Sequence, residues 1–320
     1  MESVFREAFC GGAAAHQAAP SWMKLAKRKP KTLDNPGTMD ELFSKVRDTQ
    51  PNCFDGVKVV LNKPLSNHFQ MSHTLQLGNT APSYHLLSTY VGSKIHTPAE
   101  AFPVLLGDLD GEGNLNCNII HQISERLRCK VSAQFQPGIQ NAPSQATADY
   151  RGTDFCCSLT LGTPGLATGC GMIVANFLQA VSRRWAIGSE LVYQGGSNVP
   201  GGHTALISLA GRYETGQSMS LVRIAPLGIH LGHWLKCSDQ LQIGLELETC
   251  IRAMLSVATI SYLAEIEKGD VQCRGSIDSN WRVCGSLEKR LQHVPFTFLL
   301  SGCLQLKTGT MKIGAGIIVG

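Results

Sequence analysis

The sequence predicts an all-β protein, a closed transmembrane barrel of nineteen strands with a short helix ahead of the first strand. Three observations predict it. Apolar residues recur at every second position in short segments from residue 56 to the end. Turn-forming residues punctuate those segments at regular intervals. The chain is also apolar and poor in charge, yet nowhere has the roughly 18 consecutive apolar residues that a membrane helix needs. Of 320 residues, 43% are apolar and 16% are charged, against about 25% charged in an ordinary soluble domain. The mean hydropathy is zero. The most apolar window, residues 294–306, is broken by Pro295, Thr297, Ser301 and Gln305. A polytopic helical membrane protein is excluded on this ground. A largely disordered chain is excluded by the abundance of Val, Leu and Ile.

Residues 1–35 read as a flexible basic tail. It is Ala/Gly-rich, then carries Lys24, Lys27, Arg28, Lys29 and Lys31. Six basic and three acidic residues fall within residues 1–38, which accounts for most of the net charge of +4. The ordinary expectation for such a run is a solvated tail; the functional one is contact with an anionic lipid surface or an acidic partner. The remainder is close to neutral, so no nucleic-acid footprint is indicated. The start (Met1, Glu2, Arg6, Glu7) lacks the apolar core of a signal peptide. Twelve cysteines, none in a Cys-x-x-Cys pair, read as reduced thiols with structural roles.

Residues 36–55 hold one amphipathic helix and a linker. Thr38-x-x-Glu41 is a capping box. Met39, Leu42, Phe43 and Val46 form one apolar stripe, and Pro51 ends the helix. At about 13 residues it is too short to span a bilayer.

Residues 56–320 form the barrel. Leu241, Ile243, Leu245 and Leu247 share one face, against Gln242, Gly244, Glu246 and Glu248 on the other. Phe69, Met71, Leu75 and Leu77 alternate with polar residues, as do Ile313, Ala315, Ile317 and Val319 with Lys312, Gly314 and Gly316. Strands are expected to begin near Gly56, Asn67, Ser83, Val104, Leu115, Leu127, Gln145, Asp154, Gly169 and Trp185. Nine more follow near His203, Gln217, Gly228, Leu241, Met254, Val271, Trp281, Phe296 and Met311. The spacing is about 14 residues, which fits a tilted strand of 9–11 residues and a short turn. One face of each strand is apolar, and the other is mainly Gly, Ser, Thr, Gln and Asn. A lipid-facing outer band and a polar lumen account for that split, and closure satisfies the backbone in lipid. Trp185 and Tyr193 share the outer parity and stand about 26 Å apart, which suits two interfacial girdles. An odd count forces the first and last strands to pair in parallel. It also points to the mitochondrial type of barrel.

Several strings then carry a family resemblance: Asn35-Pro-Gly-Thr38, Asn67-His-Phe-Gln70, Thr89-Tyr-Val-Gly92, Ala101-Phe-Pro-Val104, Glu190-Leu-Val-Tyr193 and Ser276-Ile-Asp-Ser-Asn-Trp281. In this order they resemble the channel-forming subunit of the translocase of the outer mitochondrial membrane (the TOM complex), over residues 35–320. The tail departs from the family, and the many cysteines suit a diverged paralogue. The resemblance implies a protein-conducting pore in the mitochondrial outer membrane, passing precursors with basic presequences. It implies receptor and small tail-anchored TOM subunits as partners, and a helix lying inside the lumen. Lys312, Gly314, Ile317 and Val319 on the last strand resemble the sorting signal read by the outer-membrane barrel-assembly machinery.

The charged residues of the polar face supply the candidate chemistry. By parity Asp108, Asp110, Glu190, Glu246, Glu248, Asp278 and Glu288 point into the lumen, with Arg212, Arg274, Arg282 and Lys312. Carboxylates lining a channel attract cations, and a presequence is a polycation. The carboxylates are therefore candidates for a weak, multi-site presequence path, set against simple charge compensation by the lumen arginines. Asp108-x-Asp110-x-Glu112-Gly113 mimics a calcium loop but has Ile119 at the twelfth position, so a hairpin turn is expected. His230 and His233, three apart on a strand, face opposite sides and form no metal pair. No enzyme motif, metal site or cofactor site is expected. A metabolite porin of the voltage-dependent anion channel kind and a non-conducting barrel remain open alternatives.

Overall fold

The structure is a computed structural model. It describes residues 33, 35–78, 82–97, 100–138, 142–165, 170–196, 201–266, 269–291 and 294–320. The basic run of the tail lies outside the described residues. So do residues 80–81 and 197–200 of two expected turns, and Gly169.

From Gly56 onward the chain forms nineteen strands. They are β1 (Gly56–Pro64), β2 (Phe69–Leu77), β3 (Ser83–Thr97), β4 (Glu100–Asp110), β5 (Leu115–Gln122), β6 (Leu127–Phe135), β7 (Ser144–Arg151), β8 (Phe155–Gly165), β9 (Cys170–Ala180) and β10 (Trp185–Gly195). Then come β11 (His203–Glu214), β12 (Ser218–Ala225), β13 (Gly228–Lys236), β14 (Leu241–Cys250), β15 (Leu255–Ile266), β16 (Val271–Asp278), β17 (Arg282–Arg290), β18 (Phe296–Gln305) and β19 (Thr310–Val319). Each strand pairs antiparallel with the next. The last closes on the first in parallel, from Gly56 opposite Gly314 to Leu61 opposite Val319. Up-and-down strands in odd number must end this way, because β1 and β19 run in the same direction.

Strand starts agree with the sequence expectation to within two residues, with one correction. The fourth strand begins at Glu100, ahead of Pro103, where the sequence places its start at Val104. Proline cannot donate to a ladder and normally marks a strand end. Here Pro103 falls in a register shift: Val91 pairs with Val104, and Lys94 then pairs with Phe102. The irregularity asks no hydrogen bond of the proline nitrogen.

Side-chain alternation sorts the two faces. On β10, Ala186, Gly188 and Glu190 are buried, whereas Trp185, Ile187 and Leu191 are exposed. Ile207, Leu209, Ile260, Leu300 and Ile313 are also exposed, at 53–61% of their full surface. So many exposed aliphatics in a closed sheet form the outer apolar band of a membrane barrel. Across β10 and β11, Trp185 lies against Tyr213 (ring centroids 4.8 Å apart) near one rim, and Tyr193 against His203 (6.3 Å) near the other.

The helix is shorter than the sequence suggests: α1 spans only Ser44–Asp48. Half of the expected capping box forms, the Thr38 N–H donating to Glu41 Oε2 at 3.1 Å. Residues 39–43 take tight turns instead, with Glu41 and Leu42 donating three residues back. A short helix has little stability of its own, so packing against the wall sets this backbone. Two of the cysteines come together: Cys284 on β17 and Cys303 on β18 stand directly opposite, with Cα atoms 4.1 Å apart and their sulfur atoms in contact. Sequence spacing gives no hint of that neighbourhood, because strand register creates it.

Candidate functional site

The candidate site is the barrel lumen and the segment that runs along its wall. Met39, Leu42, Phe43 and Val46 are buried in one cluster with Leu178, Ala186, Ala210, Met219, Leu221 and Trp234, which project inward from β9 to β13. The sequence stripe therefore packs on the inside of the sheet. Polar contacts fix its path. At one rim Asn35 Nδ2 donates to the Gly152 carbonyl (2.8 Å), and Arg212 Nη1 donates to the Pro36 carbonyl (2.8 Å). Farther along, Arg151 pairs with Glu41 (3.2 Å) and Lys45 with Glu214 (2.9 Å). Beyond α1, Thr49 Oγ1 meets Ser261 Oγ at 2.6 Å, and both residues are buried. Near β1, Ser301 Oγ donates to the Phe54 carbonyl at 2.9 Å.

Small wall residues make this approach possible. A Cβ on Gly244 would sit 2.8 Å from Ser261 Oγ and would collide with Thr49. One on Gly314 would run into the Phe54 carbonyl. Glycine is required at both places because the segment's backbone or side chain occupies the space of a Cβ.

The inward parity brings five of the sequence-selected charges to one cavity of ≈940 Å³. They are Glu246, Glu248, Asp278, Arg282 and Lys312, joined there by Arg47, Asp55 and His230. The four carboxylates exceed the three permanent cations by one. The other selected charges lie elsewhere on the inner wall, each beside a partner. Glu190, buried, bonds to Arg223. Glu288 lies 3.7 Å from Arg274. Asp108 and Asp110 lie 3.3 and 3.9 Å from His85. Arg212 lies 3.7 Å from Glu214. Charge compensation thus accounts for much of the lumen, and Glu248 stands out with its side chain 67% exposed. The stretch from Asp108 to Gly113 forms the end of β4 and its turn, with Gly113 at φ +88°.

Several participants escape the sequence reading. His230 lies directly opposite Glu248 in the ladder, and its Nε2 is 2.6 Å from Glu246 Oε1. Its ring stacks on Phe43, centroids 3.9 Å apart and 6° from parallel. Gln50 donates to Glu246 Oε2. Lys130 reaches Asp149, a buried carboxylate, at 3.1 Å. Alternation places His230, Lys130 and Asp149 on the polar face, but only the register and the path of the inner segment show which residues meet. His233 faces outward and bonds Ser220 at 2.9 Å. At a rim turn, Lys236 bonds Asp239 (2.7 Å) and holds its carboxyl below the ordinary range. The Cys53 sulfur rests 3.5 Å from the Gly302 carbonyl and 3.7 Å from that of Gly285, and burial there pushes its thiol up.

Of the sorting-signal residues, Lys312 and Gly314 face inward on β19, and Ile317 and Val319 pair with Val59 and Leu61 across the parallel closure.

Comparison with known proteins bears on the assembly as a whole. The eukaryotic porin family model matches residues 35–314. The chain is 47% identical over 299 residues to the mitochondrial import receptor subunit TOM40 homolog 2 of Drosophila melanogaster, covering 93% of this chain and 87% of that one. It is 40% identical over 304 residues to the TOM40 homolog of Caenorhabditis elegans, covering 95% of this chain and all of the relative. With the Homo sapiens TOM40 homolog it shares 39% over 289 residues, 90% of this chain and 79% of that one. A closed nineteen-stranded barrel, matched by the porin model over nearly all of the barrel and by these relatives over nine-tenths of the chain, belongs to the eukaryotic porin family as one of its TOM40 homologues.

Proposed function

We propose that this chain is a protein-conducting channel of the mitochondrial outer membrane, through which precursor proteins are imported. The observation that carries it is the closed barrel itself, apolar outside and polar within, in a chain that shares 47% identity with a named mitochondrial import receptor subunit. The channel works as part of a TOM complex. Receptor and small tail-anchored subunits pack on its outer surface, and the barrel-assembly machinery reads Lys312, Gly314, Ile317 and Val319. Its substrates are precursors with basic presequences, drawn by the carboxylate excess beside the inner segment. It performs transport and no bond chemistry.

Two features support a path of many weak contacts. Most lumen charges are locally paired, so a passing cationic helix meets modest attraction at each level. The exposed Glu248 and the cavity around it offer the most accessible carboxylates. Conduction needs binding that is favourable enough to enter and weak enough to leave. The test is the reversal potential of the purified barrel in planar bilayers under a salt gradient, with and without a basic presequence peptide. Cation preference with peptide block is expected. Anion preference without block would establish the metabolite-porin reading instead.

A further inference from the structure

We propose that His230, Glu246 and Glu248 form a binding site for a zinc-class divalent cation on the lumen wall. One donor atom from each of the three lies within 4.8 Å of the other two. The closest approaches are His230 Nε2 to Glu246 Oε1 at 2.6 Å and to Glu248 Oε1 at 3.7 Å. Zinc binds imidazole nitrogen and carboxylate oxygen at about 2.0–2.2 Å in tetrahedral geometry, so its ligands stand roughly 3.3 Å apart. The two His230 separations bracket that value, and all three donors already lie within 4.8 Å of one another.

The donor set selects the class of ion. One imidazole with two carboxylates suits zinc and its first-row neighbours, whereas calcium and magnesium favour oxygen ligands throughout. The surroundings hold the ligands as the outer shell of a metal site does. Gln50 donates to Glu246 Oε2 and leaves Oε1 to turn toward the ion. Phe43 stacks on the His230 ring and fixes its plane. Both come from the inner segment, so the ion would tie that segment more firmly to β13 and β14. Arg47 lines the same cavity and opposes a cation, but two carboxylates outweigh it. All three ligands line the cavity.

Bound zinc would add two positive charges where carboxylates exceed cations by one, converting a slightly acidic stretch of lumen into a slightly basic one. The metal site itself does not depend on what the channel carries. It is tested on the full-length barrel refolded in detergent, titrated with cobalt(II) and then with zinc to displace it. One equivalent should bind, with the visible absorption of nitrogen and oxygen ligands and no thiolate charge-transfer band. His230→Ala should weaken binding at least tenfold. Glu248→Gln, at an exposed side chain that leaves the wall intact, should weaken it several-fold. In bilayers, zinc should shift the reversal potential toward anions in the unmodified channel and leave it unmoved in His230→Ala. Absence of binding, an affinity unchanged from the unmodified barrel in both variants, or a thiolate band that cysteine alkylation abolishes would overturn the proposal. A missing bilayer effect alongside intact cobalt binding would leave the site standing and remove its influence on selectivity, whereas loss of conductance without zinc would count against the channel reading alone.

Discussion

Thr49 and Ser261, 212 residues apart in sequence, share a hydrogen bond of 2.6 Å, and neither exposes more than 1% of its surface. Two hydroxyl protons serve three contacts here, since Thr49 Oγ1 lies 2.7 Å from the Val46 carbonyl and Ser261 Oγ 3.2 Å from that of Gly244, so one hydroxyl donates across the pair and the other to its carbonyl. The inner segment and the barrel wall thus meet through one closed polar chain. Thr49→Val keeps the shape and removes the hydroxyl, leaving Ser261 only the Gly244 carbonyl. A cost of about 0.5–1.5 kcal/mol is expected for the lost hydrogen bond. Denaturant unfolding in lipid or detergent measures it. The double variant with Ser261→Ala should cost less than the two single losses combined, because the two groups share one interaction. Strict additivity would show that they are not coupled.

Gly244 tests the close approach of the segment. Gly244→Ala places a methyl where Thr49 and Ser261 already stand, and overpacking of this kind costs about 1–3 kcal/mol. Gly211→Ala is the matched control, since a Cβ there meets nothing within 4 Å. The first variant should lower the unfolding midpoint and expose residues 39–50 to protease. The second should do neither.

The charge excess in the cavity predicts a change of sign. Glu246→Gln with Glu248→Gln leaves two carboxylates, Asp55 and Asp278, against Arg47, Arg282 and Lys312. The reversal potential should move from weak cation toward anion preference, and presequence peptide should block less. Unchanged selectivity together with unchanged block would remove these two residues from the path.

Glu190 is a buried carboxylate whose cation is Arg223. Removing one partner of a fully buried pair costs about 3–5 kcal/mol. The Arg223 side chain is 38% exposed, so solvent discounts this to about 1–3 kcal/mol. Arg223→Ala should show that loss, and Arg223→Ala with Glu190→Gln should recover part of it.

Cys53 carries a pH prediction. Burial raises its thiol above the ordinary value of 9.0, so the folded chain holds that proton more tightly than the unfolded chain does. The effect favours the folded state fully below pH 9 and is lost as pH rises through the shifted value. Site-resolved maleimide labelling should therefore rise at higher pH for Cys53 in the barrel than in the denatured chain. Coincident profiles would contradict the shift.

Legibility followed the range of the interaction. Alternation along Leu241 to Leu247, or Trp185 to Tyr193, is a property of neighbouring residues, so strand and parity could be read directly. The odd strand number followed from counting, and the parallel closure followed from the number. Pro103 misled because its local rule favours a strand end, while the register shift beside Gly92 accommodates it. The inner stripe was visible as an amphipathic pattern, yet its length was not. Residues 39–43 follow the contours of a wall built from residues more than a hundred positions away.

The sequence by itself determined the barrel, its strand number, its two faces and which charges belong to the lumen. Two-residue periodicity and turn chemistry are local, and a membrane admits few ways to satisfy a chain built on them. Only the tertiary structure decided which inward residues meet. That His230 faces Glu246 and Glu248, that Arg223 neutralises Glu190, and that Thr49 seats against Ser261 all depend on ladder register and on the path of residues 35–55. Register is a collective property of all nineteen strands closing on one another. A one-residue slip of a strand would turn its members of these pairs to the lipid face.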